Sequence, residues 1–192
     1  MPDSIRAFVA ISLPDDVIER IGTLQSDLKA EGLAFRWVNP RNIHLTLKFL
    51  GDIPTARVPD IRQSLIEAAA RQSAFEIMAK GIGVFPGPKK PRVIWAGVGG
   101  QVEKLRSLQH SVEKQLADIG FAPERRRFKS HLTMGRSKGF VDPDRLLAAL
   151  QRHGRFASEP FCVDRLALFR SRLDPAGAVY TQLVQVPIGD SE

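Results

Sequence analysis

Two short stretches of this 192-residue chain, His44-Leu45-Thr46-Leu47 and His131-Leu132-Thr133-Met134, repeat one order of imidazole, apolar residue, hydroxyl and apolar residue. On a β-strand successive side chains point to opposite faces, so His44 shares a face with Thr46, and His131 with Thr133. Each strand therefore offers one imidazole beside one hydroxyl. Histidine titrates near a pKa of about 6.5, so of two imidazoles on one cleft one can be neutral and take a proton while the other is charged and gives one. That division of labour suits in-line displacement at phosphorus. The threonine hydroxyls can then donate to the non-bridging phosphoryl oxygens, and donors so placed stabilise developing charge without a metal.

A hydrolytic zinc site is the competing use of two histidines. It needs a third protein ligand and often shows helical His-Glu-x-x-His spacing; here the histidines lie on strands and neither motif contains a carboxylate. The remaining histidines have structural readings. His110 falls off the apolar stripe of its helix and is expected in solvent, while His153, just before Gly154, is expected to cap a helix C-terminus. Cys162 is the single cysteine, so no intramolecular disulfide can form, as befits a reducing cytoplasm. Its apolar surroundings predict a core position.

Presenting the two pairs requires strands with an apolar back. Leu45, Leu47 and Phe49 alternate with His44, Thr46 and Lys48, predicting Phe49 in the core and Lys48 on the polar front; Leu132 and Met134 play the apolar part in the second copy. Around these strands the chain alternates strand and helix. A strand over residues 5–12 precedes a helix opening at Pro14-Asp15-Asp16, with Val17, Ile21, Leu24 and Leu28 on one face and Gly32 past its end. A short segment over 35–38 leads into the first histidine strand. Residues 54–72 hold a second amphipathic helix on Val58, Ile61, Leu65 and Ala69. Strands at 75–85 and 92–98 form a hairpin across the turn-rich loop 86–91. A third helix runs on Val102, Leu105, Leu108, Val112, Leu116 and Ile119 and stops at Gly120, and a fourth opens with Asp142 as N-cap and carries Leu146, Leu147 and Leu150. Strands over 161–170 and 178–186 precede a short, mostly polar tail, 187–192. No Pro- or Ser-rich linker divides the chain, so the order predicts two similar α+β halves, each giving one histidine strand.

Twenty-eight Lys and Arg against twenty-one Asp and Glu leave a formal charge of +7, which favours a polyanionic partner. The apolar run near the N-terminus is too short for a signal peptide, and no stretch approaches the roughly 20 apolar residues of a membrane span.

The two motifs also carry a resemblance. His44-Leu45-Thr46-Leu47-Lys48-Phe49-Leu50-Gly51 and His131-Leu132-Thr133-Met134-Gly135-Arg136 are similar to the paired His-x-Thr motifs of the two-histidine phosphoesterase superfamily. More narrowly, the chain resembles the bacterial and archaeal RNA 2′,3′-cyclic phosphodiesterases, also called 2′-5′ RNA ligases. The likeness runs from Arg6-Ala7-Phe8-Val9-Ala10, through Arg92-Val93-Ile94-Trp95-Ala96-Gly97-Val98, to Leu168-Phe169-Arg170-Ser171 and Gly177-Ala178-Val179-Tyr180. It implies one bilobal α+β domain over residues 1–192, a duplicated fold with two antiparallel β-sheets flanking a central cleft and helices on the outside. It also implies hydrolysis of a terminal 2′,3′-cyclic phosphate of RNA to a 2′-phosphomonoester, with no metal or cofactor; apart from the resemblance, the chain is expected to be a cytoplasmic monomer. Because the 3′ oxygen must leave, His131 is expected to activate water as base and His44 to protonate the leaving oxygen as acid, with Thr46 and Thr133 binding the phosphate. Ser130 stands where similar proteins often carry proline, which loosens the backbone before His131 without adding competing chemistry.

Arg126 and Arg127, close to His131 in sequence, are expected to meet RNA phosphates bidentately, whereas Lys89 and Lys90 are either phosphate contacts or solvated surface. On an unbroken strand Arg136 faces away from His131, so it reaches the phosphate only if Gly135 breaks the alternation or the strand ends there. Phe85 and Trp95 are either core or base-stacking platforms. Two other readings stay open. One is 2′-5′ ligation of RNA halves, the same displacement with an RNA hydroxyl as nucleophile; the other is a non-catalytic RNA-binding module, which has no need of a matched acid and base.

Overall fold

The computed structural model describes residues 3–174 and 177–189. In chain order it runs β1 (Ser4–Ser12), α1 (Asp15–Ala30), β2 (Phe35–Trp37), a 3-10 turn (Pro40–Asn42), β3 (His44–Pro54), a second 3-10 turn (Thr55–Arg57), α2 (Val58–Ala70), β4 (Phe75–Phe85), β5 (Val93–Gly100), α3 (Val102–Asp118), β6 (His131–Ser137), α4 (Pro143–His153), β7 (Phe161–Val163), β8 (Arg165–Asp174) and β9 (Gly177–Pro187). The strands form two antiparallel sheets, in the orders β3-β1-β8-β9 and β2-β6-β5-β4-β7. The two histidine strands thus belong to different sheets, and β3 and β6 approach each other where the sheets meet.

Helices cover the outer faces because each has one apolar stripe to bury. The stripes of α2 and α3 pack on the first sheet, α2 against β8 and β9 and α3 against β3. On the second sheet, α4 packs on β4, and α1 is pinned through buried Gln25, whose Nε2 donates to the carbonyls of Val38 and Met134 at 2.9 and 2.8 Å. Helix ends follow the expected chemistry. Gly32 takes φ +76° just past α1, a conformation that favours a residue without Cβ, and Asp142 accepts from the Asp144 and Arg145 N–H groups at 3.0 and 3.1 Å.

The two halves are not contiguous in sequence. β2 leaves its neighbours to edge the second sheet beside β6, and β8 and β9 return to complete the first sheet. The strand expected over 161–170 is therefore two strands parted at Asp164: β7 edges the second sheet against β4, and β8 joins the first. This corrects the position of Cys162, which is exposed. On β7, Phe161 and Val163 point into the core and the residue between them points out. Leu147 is likewise exposed while Leu146 is buried. The His153 ring reaches Glu31 at 2.7 Å, tying α4 to α1 rather than serving only its own helix end. Of the expected polar tail, residues 190–192 lie outside the described residues.

Both histidine strands break their alternation at the same place. Opposite β3, His44, Thr46 and Phe49 pair with Ser12, Ala10 and Phe8, with a register shift between Val9 and Ala10. Ser12, Ala10 and Phe8 alternate on one face of β1, so Phe49 joins the face of His44 and Thr46. Opposite β6, Thr133 and Arg136 pair with Trp95 and Val93 across a shift between Ile94 and Trp95, so Arg136 joins the face of Thr133. Each bulge adds one residue to the strand and re-aims the side chains beyond it. Leu47 and Lys48 are consequently both buried, as are Met134 and Gly135. Phe49 is therefore not core, and Lys48 is not on the polar front.

Candidate active site

His44 and His131 are each the first residue of a strand, and each is held by the same device. The Nδ1–H of His44 donates to the Asn42 carbonyl at 2.8 Å, and that of His131 to the Lys129 carbonyl at 2.7 Å. A carbonyl accepts only, so each bond places a proton on Nδ1 and leaves Nε2 as the reactive nitrogen. Thr46 and Thr133 come two residues along, half-buried, and among the described residues neither hydroxyl is engaged by another protein group.

The surroundings of the two rings differ. His44 stacks on Phe8, with centroids 4.6 Å apart, and meets the edge of Tyr180 at 5.1 Å. With Asn42, Arg41 and Phe169 these residues line a small cavity of about 150 Å³. Burial there disfavours the charged imidazolium and lowers the His44 pKa, partly opposed by the bond to Asn42. His131 instead meets the edge of Phe85 at 5.1 Å and opens on a cleft of about 1070 Å³. Thr46, Phe49, Arg125, Arg126, Arg127 and Lys129 line the same cleft. Among the described residues no carboxylate forms an ion pair with the guanidinium of these three arginines or with the Lys129 ammonium, although Glu113 and Glu124 line the same cleft and the Glu124 carboxylate accepts from the Arg126 backbone N–H at 3.0 Å.

Arg136 links the two environments. It is carried by β6, yet its charge, with that of Arg6, acts on Tyr180, opposing the rise in phenol pKa that burial causes. Tyr180 in turn touches His44, so an arginine from the second histidine strand stands near the first histidine. The alternation that would turn Arg136 away from the face of His131 breaks at Met134, rather than at Gly135 or at the strand's end.

The other expected contributors divide between the site's edge and the surface. Lys89 and Lys90 are exposed and line neither cavity. Trp95 lies over Gly83, where a Cβ would come within 2.3 Å of the indole, so it packs against its own sheet. Phe85 borders the cleft. Sequence reasoning missed the aromatic wall of Phe8, Phe169 and Tyr180; their alternation on neighbouring strands was the available signal. It also missed Glu113 of α3, which holds buried Lys48 at 2.5 Å while the Lys48 ammonium donates to the Ala122 carbonyl at 2.9 Å. Together these bonds anchor the start of the basic segment leading to His131. Among the described residues no three His, Cys, Asp or Glu side chains are grouped to hold a metal ion, and no helix is long and apolar enough to cross a membrane.

The two histidine–hydroxyl pairs lie on strands of different sheets that meet at β3 and β6, with Thr46 and His131 on the basic cleft and His44 on the smaller cavity; the proteins this chain is similar to belong to a phosphoesterase family. The model of the LigT like Phosphoesterase family matches residues 11–95 and 98–180, one span for each motif. The chain is 34% identical over 179 residues to the RNA 2′,3′-cyclic phosphodiesterase of Methanothermobacter thermautotrophicus, covering 93% of this chain and 96% of that one. It is 35% identical over 189 residues to the RNA 2′,3′-cyclic phosphodiesterase of Aquifex aeolicus, covering 96% and 98%. A crystal structure from Thermus thermophilus shares the fold with a TM-score of 0.80 and 26% identity, covering 97% of this chain and all of that one. The chain belongs to the LigT-like phosphoesterase family.

Proposed function

We propose that this chain is a metal-independent RNA 2′,3′-cyclic phosphodiesterase, working as one bilobal, monomeric unit in the cytoplasm. The observation that carries the reading is the matched pair of histidines, each fixed through Nδ1 to the carbonyl two residues upstream. The names and near full-length coverage of the relatives support the substrate.

In this reading Nε2 of neutral His131 takes a proton from water as the oxygen attacks phosphorus. The bond from phosphorus to O3′ breaks, and protonated Nε2 of His44 gives its proton to O3′, leaving a 2′-phosphomonoester and a free 3′ hydroxyl. The Thr46 and Thr133 hydroxyls donate to the non-bridging oxygens, and Arg136 adds positive charge. The polarity follows from the product: for a 2′-phosphomonoester to form, O3′ must leave, and the acid is the histidine that meets it. His131 opens on the wide basic cleft, where water enters and where Arg126 and Arg127 can hold RNA phosphates.

The test is incubation of the protein, with chelator present, with an RNA ending in 2′,3′-cyclic phosphate, followed by separation of 2′- from 3′-phosphate products. The 2′-phosphate alone is expected, with turnover abolished in His44→Ala and His131→Ala. RNA binding without turnover by the wild-type protein would identify a binding module instead.

A further inference from the structure

Neither Lys48 nor Glu113 has a part in the proton transfers, and a buried ion pair adds little stability over apolar side chains of the same volume. Their bonds reach elsewhere. The Glu113 carboxylate accepts from the Lys48 ammonium at 2.5 Å and from the Glu124 N–H at 3.3 Å, and Lys48 also donates to the Ala122 carbonyl at 2.9 Å. One turn earlier on α3, Gln109 donates to Glu113 and to the carbonyl of Leu47, the residue that the bulge leaves unpaired, at 3.3 and 3.4 Å. The pair thus joins the bulge of the first histidine strand to the segment that leads to the second. That segment, residues 121–130, forms neither helix nor strand. Phe121 and Phe128 pack on the core, and everything between them is exposed, Arg125, Arg126 and Arg127 included. Among the described residues, the hydrogen bonds that tie residues 122–127 to other elements all end on Lys48 or Glu113.

Three successive guanidinium groups repel one another, and a segment held only at its two phenylalanines would have to be ordered by the RNA, which weakens binding. Fixing its root removes that cost. Resting on the phosphodiesterase reading, we propose that the Lys48–Glu113 pair is a positioning device that preorganises the arginine segment for RNA. It holds Ala122 and Glu124, so that Arg125, Arg126 and Arg127 line the cleft before RNA arrives. Neither member touches the reacting atoms; both act through the segment they hold.

The experiment compares wild type with Lys48→Met/Glu113→Leu, which leaves no charge stranded, and with Lys48→Met/Glu113→Gln, whose amide oxygen can still accept from the Glu124 N–H. Hydrogen exchange read by mass spectrometry follows peptides covering residues 121–130 and β6. Fluorescence anisotropy of a labelled tetranucleotide ending in 2′-phosphate measures RNA affinity without turnover, and kcat and KM are taken for a tetranucleotide ending in 2′,3′-cyclic phosphate and for the matching cyclic mononucleotide. In the leucine double variant exchange is expected to quicken at 121–130 and to stay as it was in β6, while RNA affinity falls about tenfold. KM should rise for the tetranucleotide and much less for the mononucleotide, with kcat falling less than KM rises. The glutamine double variant should lie between the leucine one and wild type. Unchanged exchange at 121–130, wild-type RNA affinity in the leucine double variant, equal losses on both substrates, or a glutamine double variant no better than the leucine one would overturn the proposal. If wild type hydrolyses neither substrate the phosphodiesterase reading fails, and the exchange and anisotropy of the three proteins still decide the role of the pair.

Discussion

Phe8 stacks on His44 with ring centroids 4.6 Å apart and planes inclined by 25°, so the first histidine of the pair works against an apolar surface. That burial holds the His44 pKa below its ordinary value of 6.5. A proton-detected titration of the ring should therefore show His44 ionising below that value in the wild type, and closer to it in Phe8→Ser, which admits water; the same midpoint in both proteins would contradict this. Stability changes with a definite sign. Between the folded pKa and 6.5 the unfolded chain binds a proton that the native chain does not, so the contribution of His44 is whole above 6.5 and is lost as pH falls through the folded value. The stability advantage of wild type over His44→Gln, measured by urea unfolding, should shrink between pH 8 and pH 5.

Lys48 and Glu113 form an ion pair with Lys48 only 6% exposed. Removing one partner strands the other charge in the interior, so Lys48→Met should cost about 3 kcal/mol in urea unfolding. The double variant Lys48→Met/Glu113→Leu should recover a large part of that loss. A single variant within about 0.5 kcal/mol of wild type would show that the pair does not anchor the bulged strand.

The threonine hydroxyls should act on the rate more than on the fold. Thr46→Val and Thr133→Val keep the side-chain shape while removing the donor, and each is expected to lower kcat about 100-fold with little change in unfolding midpoint. Thr→Ser at either position should retain most of the rate. Full activity in a valine variant would exclude that hydroxyl from holding the phosphoryl oxygens.

Arg126 and Arg127 should contribute through phosphate neutralisation. Each Arg→Ala change is expected to weaken RNA binding similarly for all sequences and to reduce the slope of log affinity against log salt by about 0.7. Lys89→Ala, on a loop outside both cavities, should leave the slope where it was.

Strand and helix order was legible in the chain because apolar periodicity and turn residues agree locally, as at Phe75–Phe85 and at the Asp142 cap. The histidine–threonine faces were legible for the same reason, since alternation holds over three residues. It did not hold over six. The bulges after Thr46 and Thr133 depend on how β1 and β5 pair with these strands, a non-local choice that no run of residues within β3 or β6 encodes. Phe49, Lys48 and Cys162 were misread on those grounds: two lie beyond a bulge, and the third sits on an edge strand cut short where the chain changes sheets. Lys48 found its carboxylate on α3, sixty-five positions away.

The most direct measurement of the acid and base assignment replaces the bridging 3′ oxygen of the cyclic phosphate with sulfur, a leaving group that departs without a proton. Removal of the acid should then matter little, whereas removal of the base should matter as before. His44→Ala, inactive on the oxygen substrate, is expected to regain turnover on the sulfur substrate, and His131→Ala is expected to remain inactive on both. Rescue of His131→Ala in place of His44→Ala, or of neither variant, would contradict the account.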